Sequence, residues 1–279
     1  ISERRFVHMH FSHMAGIELS ITAVNWSGNI TVKSSIDAAI LNGGDEIESR
    51  FSANKHLSTL NKVADGNCMV IKVITSETKL AVAMGARHAL FVGPQNDQVE
   101  ISSNANASAN AKLKANASPN RSPIPNNILD DEKISQEWNL QLKQSETFKI
   151  QKTCSMYTSR DRGIFEPEST AMEAVHDALS FDELIESQID AWRSLWRKYD
   201  LFIETTEECS KLIPSLLLHL NSFHCLQTAS PLTVDLDTGV PARGWSGEGY
   251  QGHIFWDDLF VFPFINLRMP NISAALLKY

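Results

Sequence analysis

Apolar and polar residues alternate with period two through Ile17-Glu18-Leu19-Ser20-Ile21-Thr22-Ala23-Val24. The alternation returns at Ile30, Val32, Ser34 and Ile36 after the turn-rich Asn25-Trp26-Ser27-Gly28-Asn29. Period two places one row of side chains on each face of a strand, so the pattern predicts two strands joined as a hairpin. Short apolar runs at 68–74, 80–84 and 88–92 add three more strands at the spacing of an antiparallel sandwich, and strand-like sequence resumes at 146–157.

From Ser180 the period changes. Phe181, Leu184, Ile185, Ile189, Trp192, Leu195, Trp196 and Tyr199 recur every three or four residues, with Asp182, Glu183, Glu186, Arg193 and Arg197 around the rest of the turn. This is an amphipathic helix whose Trp/Leu stripe belongs in a core. Thr205 with Glu208 three residues on forms a capping box for a second helix. Leu212, Ile213, Leu216, Leu217, Leu220 and Phe223 make its apolar face, and Pro214 either kinks it or marks its true start. A β half followed by an α half predicts an α+β protein of more than one domain.

Composition narrows the class. The 279 residues are 43% hydrophobic and 21% charged, values of an ordinary globular protein. The net charge of −8 and the lack of any Lys/Arg-rich block remove the footprint of a nucleic-acid binder. No apolar run reaches the ~20 residues of a membrane span and no signal peptide is evident at Phe6–Ile21, so a cytoplasmic location is expected. Cys68, Cys154, Cys209 and Cys225 lie far apart without metal-ligand spacing, which favours reduced thiols and no metal site. Between Ser103 and Asn127, 20 of 25 residues are Asn, Ala, Ser or Pro, so this stretch is expected to be a disordered or exposed insertion within the sandwich.

The densest chemistry lies at 239–258. Five glycines in the fourteen residues from Gly239 to Gly252 require a backbone that turns tightly or approaches something closely. Arg243, Glu248, Tyr250, His253, Trp256, Asp257 and Asp258 supply donors, acceptors and flat aromatic faces. A pyranose needs this combination, since its ring faces stack on aromatic side chains and its hydroxyls donate to carboxylates. A structural loop would use the same residues differently. Adjacent helical residues point ~100° apart, so Asp257 and Asp258 do not both face one bond.

Gly239-Val240-Pro241-Ala242-Arg243-Gly244, Gly247-Glu248-Gly249-Tyr250 and Gly252-His253-Ile254-Phe255-Trp256-Asp257 together resemble the signature at the barrel start of glycoside hydrolase family 65. That family comprises the inverting disaccharide phosphorylases and acid trehalases. Asn25-Trp26-Ser27-Gly28, Tyr157-Thr158-Ser159-Arg160-Asp161 and Trp192…Trp196 extend the resemblance to its sandwich and linker helices. Gln251 stands where Arg is usual, Asp258-Leu259 where Thr-Glu is usual, and Trp245 where Leu is usual.

The resemblance implies an N-terminal antiparallel β-sandwich over 1–165, a helical linker over 166–203 and, over 204–279, the start of an (α/α)6 barrel left incomplete in this chain. It also implies that Trp256 and Asp257 contact the glucosyl unit, with Arg243, His253 and Tyr250 bordering the sugar. In such enzymes a carboxylic acid protonates the leaving oxygen while inorganic phosphate attacks from the opposite face, giving β-glucose 1-phosphate. The implied partners are a disaccharide and phosphate as co-substrate, with no cofactor, and a homodimer is one state open to the full-length form. The general-acid Glu is expected beyond Tyr279, so no catalytic residue is assigned here and the chain reads as the N-terminal part of a longer protein. A hydrolytic trehalase-type glycosidase and a non-catalytic sugar-binding fragment remain the alternatives.

Overall fold

In chain order the strands are β1 (Ser2–Val7), β2 (Met14–Thr22), β3 (Gly28–Asp37), β4 (Leu57–Asp65), β5 (Cys68–Thr75), β6 (Ala81–Pro94), β7 (Val99–Glu100), β8 (Asn126–Asp130), β9 (Lys133–Leu142) and β10 (Glu146–Thr158). The helices are α1 (Pro167–His176), α2 (Phe181–Tyr199), α3 (Leu212–Thr228), α4 (Asp258–Asn266) and α5 (Pro270–Leu276). This computed structural model describes residues 1–40, 56–94, 99–101, 124–201, 212–236, 239–240, 244 and 253–278. The described residues up to Ile185 form one compact unit and those from Glu186 onward a second.

The first unit is an antiparallel sandwich. Its larger sheet runs β1-β2-β10-β6-β5-β4, with β7 on β6, and the smaller runs β3-β9-β8. Inward rows of the two sheets meet in two apolar clusters. Ile36 and Ile134 of the small sheet meet Met69, Ile71, Val73, Ala86 and Cys154 of the large one. Trp138 and Leu142 likewise meet Leu90, Phe148 and Ile150.

The predicted hairpin between the first two alternating runs is not formed. Both edges of β2 are occupied, by β1 and β10, while β3 pairs with β9 in the opposite sheet. Ala23 stays on β10 by exchanging backbone bonds with Glu146 and Ser145, and the chain then crosses to the other layer. The reason is burial. Two strands of one hairpin turn their apolar rows to the same side, whereas strands in facing sheets cover each other's rows.

The runs at 80–84 and 88–92 are likewise one strand, the fourteen-residue β6, which passes straight through Gly85. A Cβ at Gly85 would lie 2.6 Å from the Ala171 carbonyl oxygen, so this glycine admits helix α1 to the sheet rather than breaking the strand. β1, β4, β7, β8 and β9 have no counterpart among the expected strands, and Asn126 and Asn127, assigned to the insertion, open β8. Residues 103–123 of that insertion lie outside the described residues.

The sandwich interior also holds polar groups. His88 is fully buried. Gln136 donates its amide to the Gly66 carbonyl and to Asn127 Oδ1, both at 3.0 Å, which leaves its Oε1 to accept from His88 Nδ1 at 2.9 Å. The other ring nitrogen, Nε2, then accepts from the Ser34 hydroxyl at 2.8 Å. Nearby, Lys152 donates to the Ser35 carbonyl at 2.7 Å. Burial, helped by the Lys152 charge, pushes the His88 pKa down to about 3 against the pull of its hydrogen bonds.

On the outer face of the large sheet, Arg4 forms a two-pronged ion pair with buried Glu18 at 2.8 and 2.9 Å, and Gln151 donates to the same carboxylate at 2.7 Å. Burial opposes ionisation of Glu18, yet these bonds hold its carboxyl below the usual range. Arg4 also bonds Asp182 at 2.9 Å, fastening the first turn of α2. Gly16 leaves room for the rings of Phe6 and Phe181, which pack 5.3 Å apart.

In the second unit, α2 presents Trp192 to Phe223 of α3 at 4.9 Å and Tyr199 to Phe264 of α4 at 5.0 Å. Ile189, expected on the buried stripe, is exposed. So are Leu216, Leu217 and Leu220, expected on the buried face of α3, whose buried positions among the described side chains are Ser222, Leu226 and Thr228. α3 is apolar nearly all round, so period alone did not select the face that packs. Pro214 sits in the first turn of α3, where its missing N–H is no loss, and the Thr205 capping box lies outside the described residues. Cys68, Cys154 and Cys225 are free thiols, and among the described residues no helix is long and apolar enough to cross a membrane.

His88 has a folded pKa below its ordinary 6.5, so it stabilises the fold above pH 6.5 and that contribution is lost as pH falls towards 3. Linkage puts the loss on the order of 4 kcal/mol. Denaturant unfolding from pH 7 to pH 4 is expected to show a steep loss of stability that His88→Gln flattens. An unchanged slope in the variant refutes the assignment.

Candidate functional site

The glycine-rich segment is described at Gly239, Val240, Gly244 and from His253 onward. Gly239 lies against Ile254, since a Cβ there would come within 2.9 Å of Ile254 Cγ1 and 3.1 Å of its Cα. This close approach brings the start of the segment beside its end. Gly244 has φ +69°, a left-handed conformation that disfavours a side chain.

A helical turn begins at Phe255, whose carbonyl accepts from Asp258 N–H, and continues as Trp256 and Asp257 carbonyls accept from Leu259 and Phe260. Asp257 occupies the cap position before α4 but makes no side-chain cap hydrogen bond. Its carboxylate is therefore not spent on its own helix. Trp256 is 68% exposed and meets Phe260 edge to face at 5.5 Å, which leaves indole surface open. His253 is also exposed.

Asp258 behaves oppositely. It is 5% exposed, and its Oδ1 accepts from the Val240 N–H at 3.2 Å. Its Oδ2 is buried with no hydrogen-bond partner among the described residues. Asp258 thus ties the Gly239-Val240 strand of the loop to the helix that carries Trp256 and Asp257. Sequence reasoning set Asp258 aside as a poor catalytic partner without finding this positioning role, and the adjacent Asp-Asp pair was the available signal.

Of the residues picked out as sugar-contacting, Trp256, Asp257 and His253 lie on one described stretch running into α4, while Arg243 and Tyr250 lie outside the described residues, as does Glu248. No group of three or more His, Cys, Asp or Glu among the described residues is placed to hold a metal ion. An exposed indole beside a carboxylate is chemistry for an uncharged, hydroxyl-rich ligand with an apolar face.

The family model for the glycosyl hydrolase family 65 N-terminal domain matches residues 1–195, and the model for that family's central catalytic domain matches 219–279. The chain belongs to glycosyl hydrolase family 65.

An uncharacterized glycosyl hydrolase of Mycobacterium tuberculosis is 28% identical over 281 residues, covering 100% of this chain and 19% of its own length. The alpha,alpha-trehalose phosphorylase of Thermoanaerobacter brockii is 26% identical, covering 99% of this chain and 32% of its own. A solved structure named "Putative kojibiose phosphorylase from human microbiome" shares the fold with a TM-score of 0.66 at 16% identity, covering 98% of this chain and 31% of that one. The chain thus spans between about a fifth and a third of the length of these relatives.

The contrast between the two aspartates is testable by unfolding. Asp258→Ala removes the acceptor of a buried backbone N–H and is expected to destabilise the second unit by about 1–3 kcal/mol, whereas Asp257→Ala is expected to stay within about 0.5 kcal/mol of the parent. Equal losses would show that Asp258 is not the tie.

Proposed function

We propose that this chain forms part of an inverting disaccharide phosphorylase, an enzyme that cleaves an α-glucosidic bond with inorganic phosphate to release β-glucose 1-phosphate and a second sugar. The observation that carries the reading is the pairing of an open indole at Trp256 with a carboxylate at Asp257 that caps nothing. Family membership and the similarity to the trehalose phosphorylase support it.

In this reading Trp256 lies against the apolar face of the glucosyl unit. Asp257 accepts from its hydroxyls, and such bonds strengthen as positive charge develops at the anomeric carbon. His253, Arg243 and Tyr250 border the same sugar. Protonation of the leaving oxygen by a glutamic acid and attack by phosphate on the opposite face belong to parts of the enzyme beyond this chain. Phosphate takes the place of the water that a second carboxylate would activate in an inverting hydrolase. The chain alone is inactive in this reading, and within the cell the enzyme is cytoplasmic.

The complete enzyme, incubated with trehalose, maltose and kojibiose with and without phosphate, is expected to consume one of them only when phosphate is present and to yield β-glucose 1-phosphate. Turnover indifferent to phosphate would transfer the reading to a hydrolase. Asp257→Ala in that enzyme is expected to lower kcat/KM by more than about tenfold, because a charge-assisted contact contributes about 1.5–3 kcal/mol. An unchanged kcat/KM would remove Asp257 from the sugar site.

A further inference from the structure

A cavity of about 430 Å³ opens in the first unit between the β1–β2 loop, the end of β10 and the turn joining α1 to α2. It falls within the roughly 300–1,000 Å³ of small-molecule sites. All of its lining residues belong to the first unit, and neither Trp256 nor Asp257 is among them.

Its walls are preformed. Buried His8 accepts from the backbone N–H groups of His10 and Phe11 through Nδ1, both at 3.0 Å, and so shapes the β1–β2 loop. Burial pushes the His8 pKa down, which suits this neutral acceptor role. His13 stacks on Tyr157 with ring centres 4.1 Å apart and bonds the Met156 carbonyl through Nδ1 at 2.8 Å. From the sheet side, Arg87 bonds the carbonyls of His176 and Leu179 at 2.9 and 3.0 Å, which steadies the α1–α2 turn.

The chemistry of the lining selects a ligand. Phe11, 39% exposed, and Leu184 provide apolar surface. The polar groups are mainly acceptors: the Asp177 carboxylate, already paired with His176 Nδ1 at 2.8 Å but with lone pairs to spare, and His13, whose Nε2 is left as an acceptor once Nδ1 donates. Ser12 and Tyr157 add hydroxyls. No Lys or Arg lines the cavity, and its only side chains able to carry positive charge are the imidazoles of His10 and His13.

A small, uncharged ligand rich in hydroxyl donors and carrying an apolar face satisfies all of these conditions. We infer that this cavity is a second carbohydrate-binding site, built for a pyranose mono- or disaccharide and distinct from any site at Trp256 and Asp257.

The test uses the chain carrying Asp257→Ala, so that sugar held at that position is not counted. Glucose, maltose and trehalose are titrated by calorimetry and saturation-transfer NMR. Saturable millimolar binding is expected, weakened at least about fivefold by Phe11→Ala and by Asp177→Ala and unaffected by inorganic phosphate. Melting curves establish that each variant folds, and Asp177→Ala carries the test if Phe11→Ala does not fold. Absence of saturable binding, binding untouched by either substitution, competition by phosphate, or equal competition by adenosine would each overturn the inference. Failure here leaves the phosphorolysis assay unaffected, and failure of that assay leaves this binding unaffected, so the two readings are tested separately.

Discussion

The first unit depends on one constraint: a sandwich interior that contains an imidazole, an amide and an ammonium group closes only if each finds a partner. His88 has Gln136 on one ring nitrogen and Ser34 on the other, Gln136 reaches Gly66 and Asn127, and Lys152 reaches Ser35. These contacts join β6 and β10 of the large sheet to β3, β8 and β9 of the small one. Leaving any one of them unmade would strand a buried polar group at a cost of about 1–3 kcal/mol. A register slip of one residue would also exchange this row for its outward neighbours. Apolar clusters on either side supply the burial, and the polar seam selects the alignment in which they meet.

The outward face of the same large sheet is specified by space as well as charge. Gly85 lets the Ala171 carbonyl approach the strand, and Gly16 gives room to Phe6 and Phe181. The cross-strand row Arg4–Glu18–Gln151 then fastens the first turn of α2 through Asp182. Two missing side chains and one chain of charge-assisted bonds thus determine where helices can sit on this face. The walls of the second cavity follow from the same packing, since they stand where the β1–β2 loop meets the end of β10 and the α1–α2 turn.

How legible this was in the chain depended on what kind of interaction each element answers to. Alternation revealed which face of β2 and β3 is apolar, but partner choice depends on layers far apart in sequence, so the pair was read as a hairpin. The runs at 80–84 and 88–92 read as two strands, because the contact that explains Gly85, at Ala171, lies more than eighty residues downstream. In β9 the inward row Ile134, Gln136, Trp138, Leu140, Leu142 is interrupted by Gln136, the residue that His88 requires, so the polar seam concealed the strand that carries it. α2 was visible because its aromatic and aliphatic stripe is local. The glycine-rich motif was legible as a family resemblance, with Trp256 and Asp257 on the described stretch and Arg243 and Tyr250 outside it.

The two adjacent aspartates show why the rest of the site could not be read from composition alone. Neighbouring residues at the start of a helix point ~100° apart, so burying one leaves the other turned away. Asp258 takes the buried position because Val240, eighteen residues earlier, brings an N–H to it, and Gly239 permits that approach by lacking a Cβ against Ile254. Asp257 makes no side-chain cap bond to α4, and its neighbour Trp256 is left exposed. The freedom of Asp257 from its own helix thus accompanies the structural commitment of Asp258. A buried carboxylate oxygen without a partner, at Asp258 Oδ2, is the residual cost of that arrangement within the described residues. Such a cost persists only where the surrounding packing over-determines the arrangement.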